Sequence, residues 1–259
     1  MNPHPQSKKI IRCGLLLTGL YLILCASLSL RPRPAAPAQG DCMLYYIVNA
    51  DGMKGLGHTI LMLTDEDGRG TVISFNGMQK SLGESLMGQS GVGKMSIETM
   101  DAKETAAFLQ TGNLSLEGDQ LQDNYDRALY RPITAQEYRA VFAAAEPYLA
   151  AEAKFDTLYT QWASAQDSSR KDACRQQLAR LSRDRSLPLY RLYTHNCDHA
   201  ARELASAADS DMREYTLRTW RITPNGNLKA FASSSDRWGV MELGETSLPE
   251  KILLFLMIF

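Results

Sequence analysis

The sequence predicts an α+β domain behind an N-terminal apolar segment, and three observations carry that reading. Short β-branched and aromatic runs cluster early, at 43–48, 57–63 and 71–76. Two capping-box signatures, Asp101-Ala-Lys-Glu104 and Thr134-Ala-Gln-Glu137, open stretches rich in helix formers further on. The first forty residues hold an uncharged run from Cys13 to Leu30 unlike anything after it.

The elements follow in order. Lys8, Lys9 and Arg12 form a basic flank (1–12) before the run 13–30, which is the length of a short membrane span. Arg31-Pro-Arg-Pro-Ala-Ala-Pro-Ala-Gln-Gly40 is a stiff, Pro-rich spacer. An uncleaved anchor is preferred to a cleaved signal, because Arg31 and Arg33 stand between the apolar run and the small-x-small tripeptide Ala36-Pro-Ala38. The body, 41–259, is therefore expected outside the cytoplasmic membrane, tethered as a single-pass protein, or secreted if the segment is cut.

Met43 to Val48 reads as a strand. Gly57 to Leu63 and Thr71 to Asn76 read as a hairpin across the turn-rich Asp65-Glu-Asp-Gly-Arg-Gly70. Residues 80–185 read as a largely helical insertion, with a further strand at Tyr125–Arg131 and two or three helices from Ala135 to Arg183 interrupted at Pro147 and Asp167-Ser-Ser169. Leu187 to Tyr193 is expected to be extended, Cys197 to Ala207 a helix entered at its cysteine, and Pro224 the opening of a short helix. The apolar end, Ile252 to Phe259, is too short to span a bilayer as a helix and reads as a buried strand.

Charge excludes some function classes. Residues 1–39 contain five basic and no acidic side chains, so the body carries 23 Lys and Arg against 29 Asp and Glu, and a nucleic-acid partner gains no support. Cys42, Cys174 and Cys197 lie outside the apolar segment; if Cys42 pairs with Cys174, Cys197 is a free thiol in an exported protein.

The segment Tyr193-Thr-His-Asn-Cys-Asp-His-Ala-Ala-Arg-Glu-Leu204 places Cys197 in the first turn of a helix, where the dipole favours an anion and a thiol pKa can fall toward neutrality. The nucleophile needs a base, and His58, within Gly55-Leu-Gly-His-Thr-Ile-Leu-Met-Leu63, is polar among apolar neighbours at a strand start. On the next strand Ser74 and Asn76 share one face, and either could orient the imidazole. Read singly, Cys197 is a small buried hydrophobe, His58 a structural histidine, and Ser74 and Asn76 strand residues; their combination is what suggests chemistry.

A Gly-His pair on an early strand, a polar residue on the next and a late Asn-Cys pair opening a helix resemble the circularly permuted papain-like cysteine hydrolases, the NlpC-related and lecithin:retinol acyltransferase-like families. The resemblance covers two islands, 57–77 and 190–204, separated by the long insertion. It implies a permuted papain-like fold with a small antiparallel sheet, Cys197 attacking a carbonyl, His58 as base and then acid, and Ser74 or Asn76 fixing the ring. The implied substrates are a peptide, a cell-wall peptide or a lipid ester, with no cofactor and no metal. Asp198 and His199 depart from the pattern, which leads one to expect less charge and then an aromatic. A catalytically silent binding or scaffold domain of the same fold is the alternative.

Two other patterns carry less. His195, Cys197 and His199 alternate, and along a helix a spacing of two points side chains apart, so no zinc site is expected. Gly88-Gln-Ser-Gly-Val-Gly-Lys94 follows most of a phosphate-loop pattern, but Met95 stands where a hydroxyl should hold magnesium, so no nucleotide is expected. Tyr193 is a possible helper to the oxyanion, and Trp162, Trp220 and Trp238 are assigned to the core or cleft wall.

Overall fold

The computed structural model describes residues 42–49, 57–77, 93–114, 123–209, 224, 227–228 and 238–243. Residues 1–41, which include the apolar run and the whole spacer, and the C-terminal run lie outside them. No helix among the described residues is long and apolar enough to cross a membrane.

The domain is α+β. Its centre is a six-stranded antiparallel sheet built from β1 (Cys42–Asn49), β2 (His58–Thr64), β3 (Gly70–Gly77), β4 (Gly93–Met100), β7 (Arg127–Ile133) and β8 (Gly239–Glu242), in the order β4-β3-β2-β1-β7-β8. A two-stranded ribbon of β5 (Asn113–Leu114) and β6 (Asp123–Asn124) stands apart. Among the described residues four helices complete it: α1 (Ala102–Thr111), α2 (Ala135–Ser164), α3 (Ser168–Leu181) and α4 (Cys197–Ala205).

β1 and β2 are buried along their whole length, because both faces of the sheet are covered. Leu44, Tyr46, Leu61, Leu63, Ile73 and Phe75 face one cluster, shared with Val141, Ala145 and Tyr148 of α2 and Ala200, Ala201 and Leu204 of α4. Met43, Tyr45, Ile47, Ile60, Met62 and Val72 face the other, closed by Phe108 of α1 with Leu114 and Tyr125. Period-two alternation therefore splits β2 cleanly: odd positions look toward α4 and even positions toward α1.

Both capping boxes form as expected. Asp101 and Glu104 exchange bonds at the start of α1, and Thr134 and Glu137 do so at the start of α2. Gly112 closes α1 in the left-handed region (φ 72°), where a Cβ would lie 2.1 Å from the Tyr125 carbonyl oxygen.

Several expectations need correction. The segment 80–185 is not simply a helical insertion, since Gly93–Met100 and Arg127–Ile133 are strands of the central sheet. β4 escapes recognition because its alternation is diluted by Gly, Lys and Ser, and its face is completed by the partner β3. Pro147 does not divide the helix: α2 runs 30 residues through it, held by Val141, Ala145, Tyr148, Ala151 and Phe155 buried on either side. Leu187–Tyr193, read as a short strand or extended stretch, forms no named strand and ends in an isolated bridge between Arg191 and His195 around a tight turn leading to α4. The Cys42–Cys174 disulfide, left open above, is not formed, and Cys42, Cys174 and Cys197 are all buried.

Candidate active site

α4 begins where expected and for a local reason. Asn196 is its N-cap, accepting from the His199 N–H and donating through Nδ2 to the Leu192 carbonyl at 2.9 Å, which ties the turn 191–195 to the helix start. Cys197, Ala200, Ala201 and Leu204 form one stripe of α4 facing the sheet. The stripe sets the thiol, only 3% exposed, against the backbone N–H of Thr59, the residue after His58. Tyr190 is close enough for the thiol to act on its hydroxyl.

The electrostatics of the thiol differ from those expected at a helix N-terminus. Burial pushes Cys197 up to about 12, and the adjacent Asp198 adds to the rise; the Thr59, Asp198 and Cys197 amides pull the other way without prevailing. The sulfur is thus a neutral thiol at rest, cradled by three N–H groups that would each favour its anion.

His58 opens β2 and is buried at 8% exposure. Gly57, before it, has φ 87°, and a Cβ there would meet the Pro224 ring at 3.1 Å, so the entry to β2 requires glycine twice over. The imidazole Nε2 lies 3.2 Å from Ser74 Oγ, and Asn76 Nδ2 donates to the same oxygen at 3.1 Å. Of the two residues left open as orienting groups, Ser74 touches the ring and Asn76 touches Ser74. The ring also lies 6.5 Å, centroid to centroid, from Tyr125.

His58, Ser74 and Tyr125 belong to the face that packs on α1, whereas the Cys197 stripe belongs to the opposite face. Thiol and imidazole thus approach the start of β2 from its two sides, with the Thr59 amide between them in sequence. Asn49, buried and directly across from His58 in the β1–β2 register, is a neighbour the sequence reading missed.

A second polar group was also missed. Asp198, fully buried, pairs with Arg202 at 3.0 Å, accepts from Asn227 Nδ2 at 2.6 Å and accepts from the Tyr46 hydroxyl. Burial pushes the Asp198 carboxyl up while Arg202, Tyr46 and Asn227 hold it down. Protonating it would strand the Arg202 guanidinium, 1% exposed, in the interior, so the pair is ionic near neutral pH. The only trace in the sequence is the i,i+4 spacing of Asp198 and Arg202.

The neighbouring histidines are committed elsewhere. His195 stacks on Tyr148 (5.6 Å, 18°), whose hydroxyl donates to Glu203 at 2.7 Å. His199 Nδ1 bonds Asn196 Oδ1 at 3.0 Å, and burial with the nearby Arg202 lowers its pKa to about 4. Among the described residues no group of three His, Cys, Asp or Glu is arranged to hold a metal. Gly93 and Lys94 of the glycine-rich segment open strand β4, whereas a phosphate cradle needs a helix there; residues 88–92 lie outside the described residues. Tyr193 is exposed, at 43%, on the turn before α4.

Comparisons of this chain with protein-family models, with curated proteins and with solved structures return no match.

Proposed function

We propose that this chain is a cysteine hydrolase or acyltransferase of the permuted papain-like kind, held at the outer face of a membrane by residues 13–30 and acting on an amide or ester. The observation that carries the reading is the seating of Cys197, at the Asn196-capped start of α4, against the amide that follows His58, with the His58 ring bonded to Ser74.

In this reading Cys197 Sγ attacks the substrate carbonyl carbon as its proton passes to His58, and the carbonyl oxygen becomes an oxyanion. Collapse breaks the C–N or C–O bond, and His58 returns the proton to the departing amine or alcohol. Water, or an acceptor nucleophile, then gives a proton to His58 and attacks the thioester, releasing Cys197 as a thiol. A thiol held near 12 means that deprotonation accompanies attack and that no thiolate is stored beforehand. Because the ring and the thiol start on opposite faces of β2, this reading requires the backbone at the start of β2 to turn, and not the His58 side chain alone.

The buried, neutral thiol also favours a second reading, a silent binding or scaffold domain of the same fold. An activated ester separates the two. Mixed with p-nitrophenyl butyrate, the full chain should release a burst of about one equivalent of p-nitrophenolate and carry a hydroxylamine-labile butyryl group on Cys197, absent from Cys197→Ala. No adduct on Cys197, with the fold intact, would leave the silent reading.

A further inference from the structure

The covered interior of α4 contains two full charges that packing does not require. Asp198 is the residue after Cys197, and its carboxylate is 0% exposed; Arg202, one turn on, is the largest fully buried side chain among the described residues. Replacing such a pair with apolar side chains of similar volume is commonly neutral or stabilising, so its presence calls for another explanation. Asp198 also engages the surroundings of the thiol. Tyr46, which donates to Asp198, lies on β1 beside β2 and faces α4, and Asn227 brings in the segment whose Pro224 packs on Gly57, the residue before His58.

We propose that the Asp198–Arg202 pair is a positioning device for Cys197: it clamps the first turn of α4 to Tyr46 of β1 and to Asn227, and the balance of its two charges tunes how readily the thiol ionises. The inference takes from the reading above only that Cys197 is the nucleophile. The groups facing the sulfur are Asp198 from α4, Thr59 from β2 and Tyr190 from the preceding turn, with Tyr46 of β1, Asn227 and Arg202 behind Asp198. Asp198 is an anion that acts on the sulfur, and in a low-dielectric interior a carboxylate one residue away opposes a second negative charge, adding to the effect of burial. Arg202 balances that carboxylate across a contact of 3.0 Å. Whatever removes one charge of the pair and leaves the other therefore changes the ease of ionising the thiol.

The test is the pH dependence of iodoacetamide alkylation at Cys197 in the full chain, read by peptide mass mapping, with buried Cys42 and Cys174 as internal references for loosening of the fold. Asp198→Asn leaves Arg202 as the unbalanced charge and should raise the Cys197 rate at pH 8 by about ten-fold or more. Arg202→Met should lower it several-fold, and the double variant should return it to within about three-fold of the parent. Tyr46→Phe removes one donor from the carboxylate while leaving every charge in place; it should slow Cys197 about two-fold with Cys42 and Cys174 unchanged, and it serves as the readout if either single charge variant fails to fold. Equal Cys197 rates in the parent, Tyr46→Phe and whichever charge variants fold, or rates that move in parallel at all three cysteines, would overturn the proposal. Alkylation reads the thiol and not turnover: a chain that never acylates but follows this pattern keeps the positioning role and loses the hydrolase reading, and the reverse result does the opposite.

Discussion

The two faces of the central sheet are built differently. The face under α1 is closed almost entirely by apolar side chains, among them Ile47, Ile60, Met62, Val72 and Phe108, with His58, Ser74 and Asn76 only at the open end of β2 and β3. The face under α2 and α4 has an equally apolar cluster but also buries Asp198, Arg202 and Asp209. Asp209 is held by Arg131 at 2.8 Å and by the Trp238 indole at 2.7 Å, which joins the end of α4 to β7 and to the residue before β8. One face is therefore a packing surface, and the other is a packing surface threaded with charge along the helix that carries Cys197. Charge is placed where position matters, and hydrophobic area where only stability does.

The sharpest break of that contrast is removal of one charge. Asp198→Ala or Arg202→Ala should destabilise the domain by about 3–5 kcal/mol, because the surviving partner is left buried and unpaired. Replacing both by Leu and Met should recover most of the loss, measured by urea unfolding. On the apolar face no such recovery exists: Met62→Ala should cost about 2–4 kcal/mol, and no second substitution nearby short of refilling the volume should restore it.

The faces should also differ in their response to acid. His199 ionises near 4 when folded against about 6.5 when unfolded, and His195 is shifted in the same direction by burial. Between those values the unfolded chain binds more protons, so stability is complete above about pH 6.5 and is lost as pH falls toward 4. Discounting for its partial exposure, His199 should contribute a loss of about 1–2 kcal/mol between pH 7 and pH 4.5. His199→Gln should flatten that part of the melting-temperature profile.

A smaller effect belongs to the helix starts. Asp101→Ala at α1 and Thr134→Ala at α2 should each cost about 1 kcal/mol, since each capping box satisfies two N-terminal N–H groups. The two losses should add, because the boxes share no partner.

These elements also mark what the sequence makes legible. The caps, the first three strands and the cysteine at a helix start were readable because each is a local pattern: Asp101 with Glu104, alternation through 58–64, Asn196 before Cys197. β4 and Arg127–Ile133 were not placed in the sheet because membership depends on partners far away, β3 and β1 respectively. Pro147 misled because burial along α2 outweighs the local cost of a proline. Asp198 read as a departure from a motif and Arg202 drew no reading of its own, since nothing local distinguishes a buried ion pair from a solvated one at the same spacing. Ser74 and Asn76 were legible as sharing one face of their strand, but that His58 would join them on that face and α4 would pack on the other was not, because the side of the sheet a helix covers is decided by the whole chain.

The central claim is that Cys197 is acylated with His58 as its base, and the direct measurement is the rate of butyryl transfer to Cys197 at pH 7 in the parent chain, His58→Ala and Ser74→Ala. The account predicts a fall of at least about 100-fold in His58→Ala and a smaller one, about ten-fold, in Ser74→Ala, with the fold unchanged by circular dichroism. Equal rates in the parent and His58→Ala would contradict it.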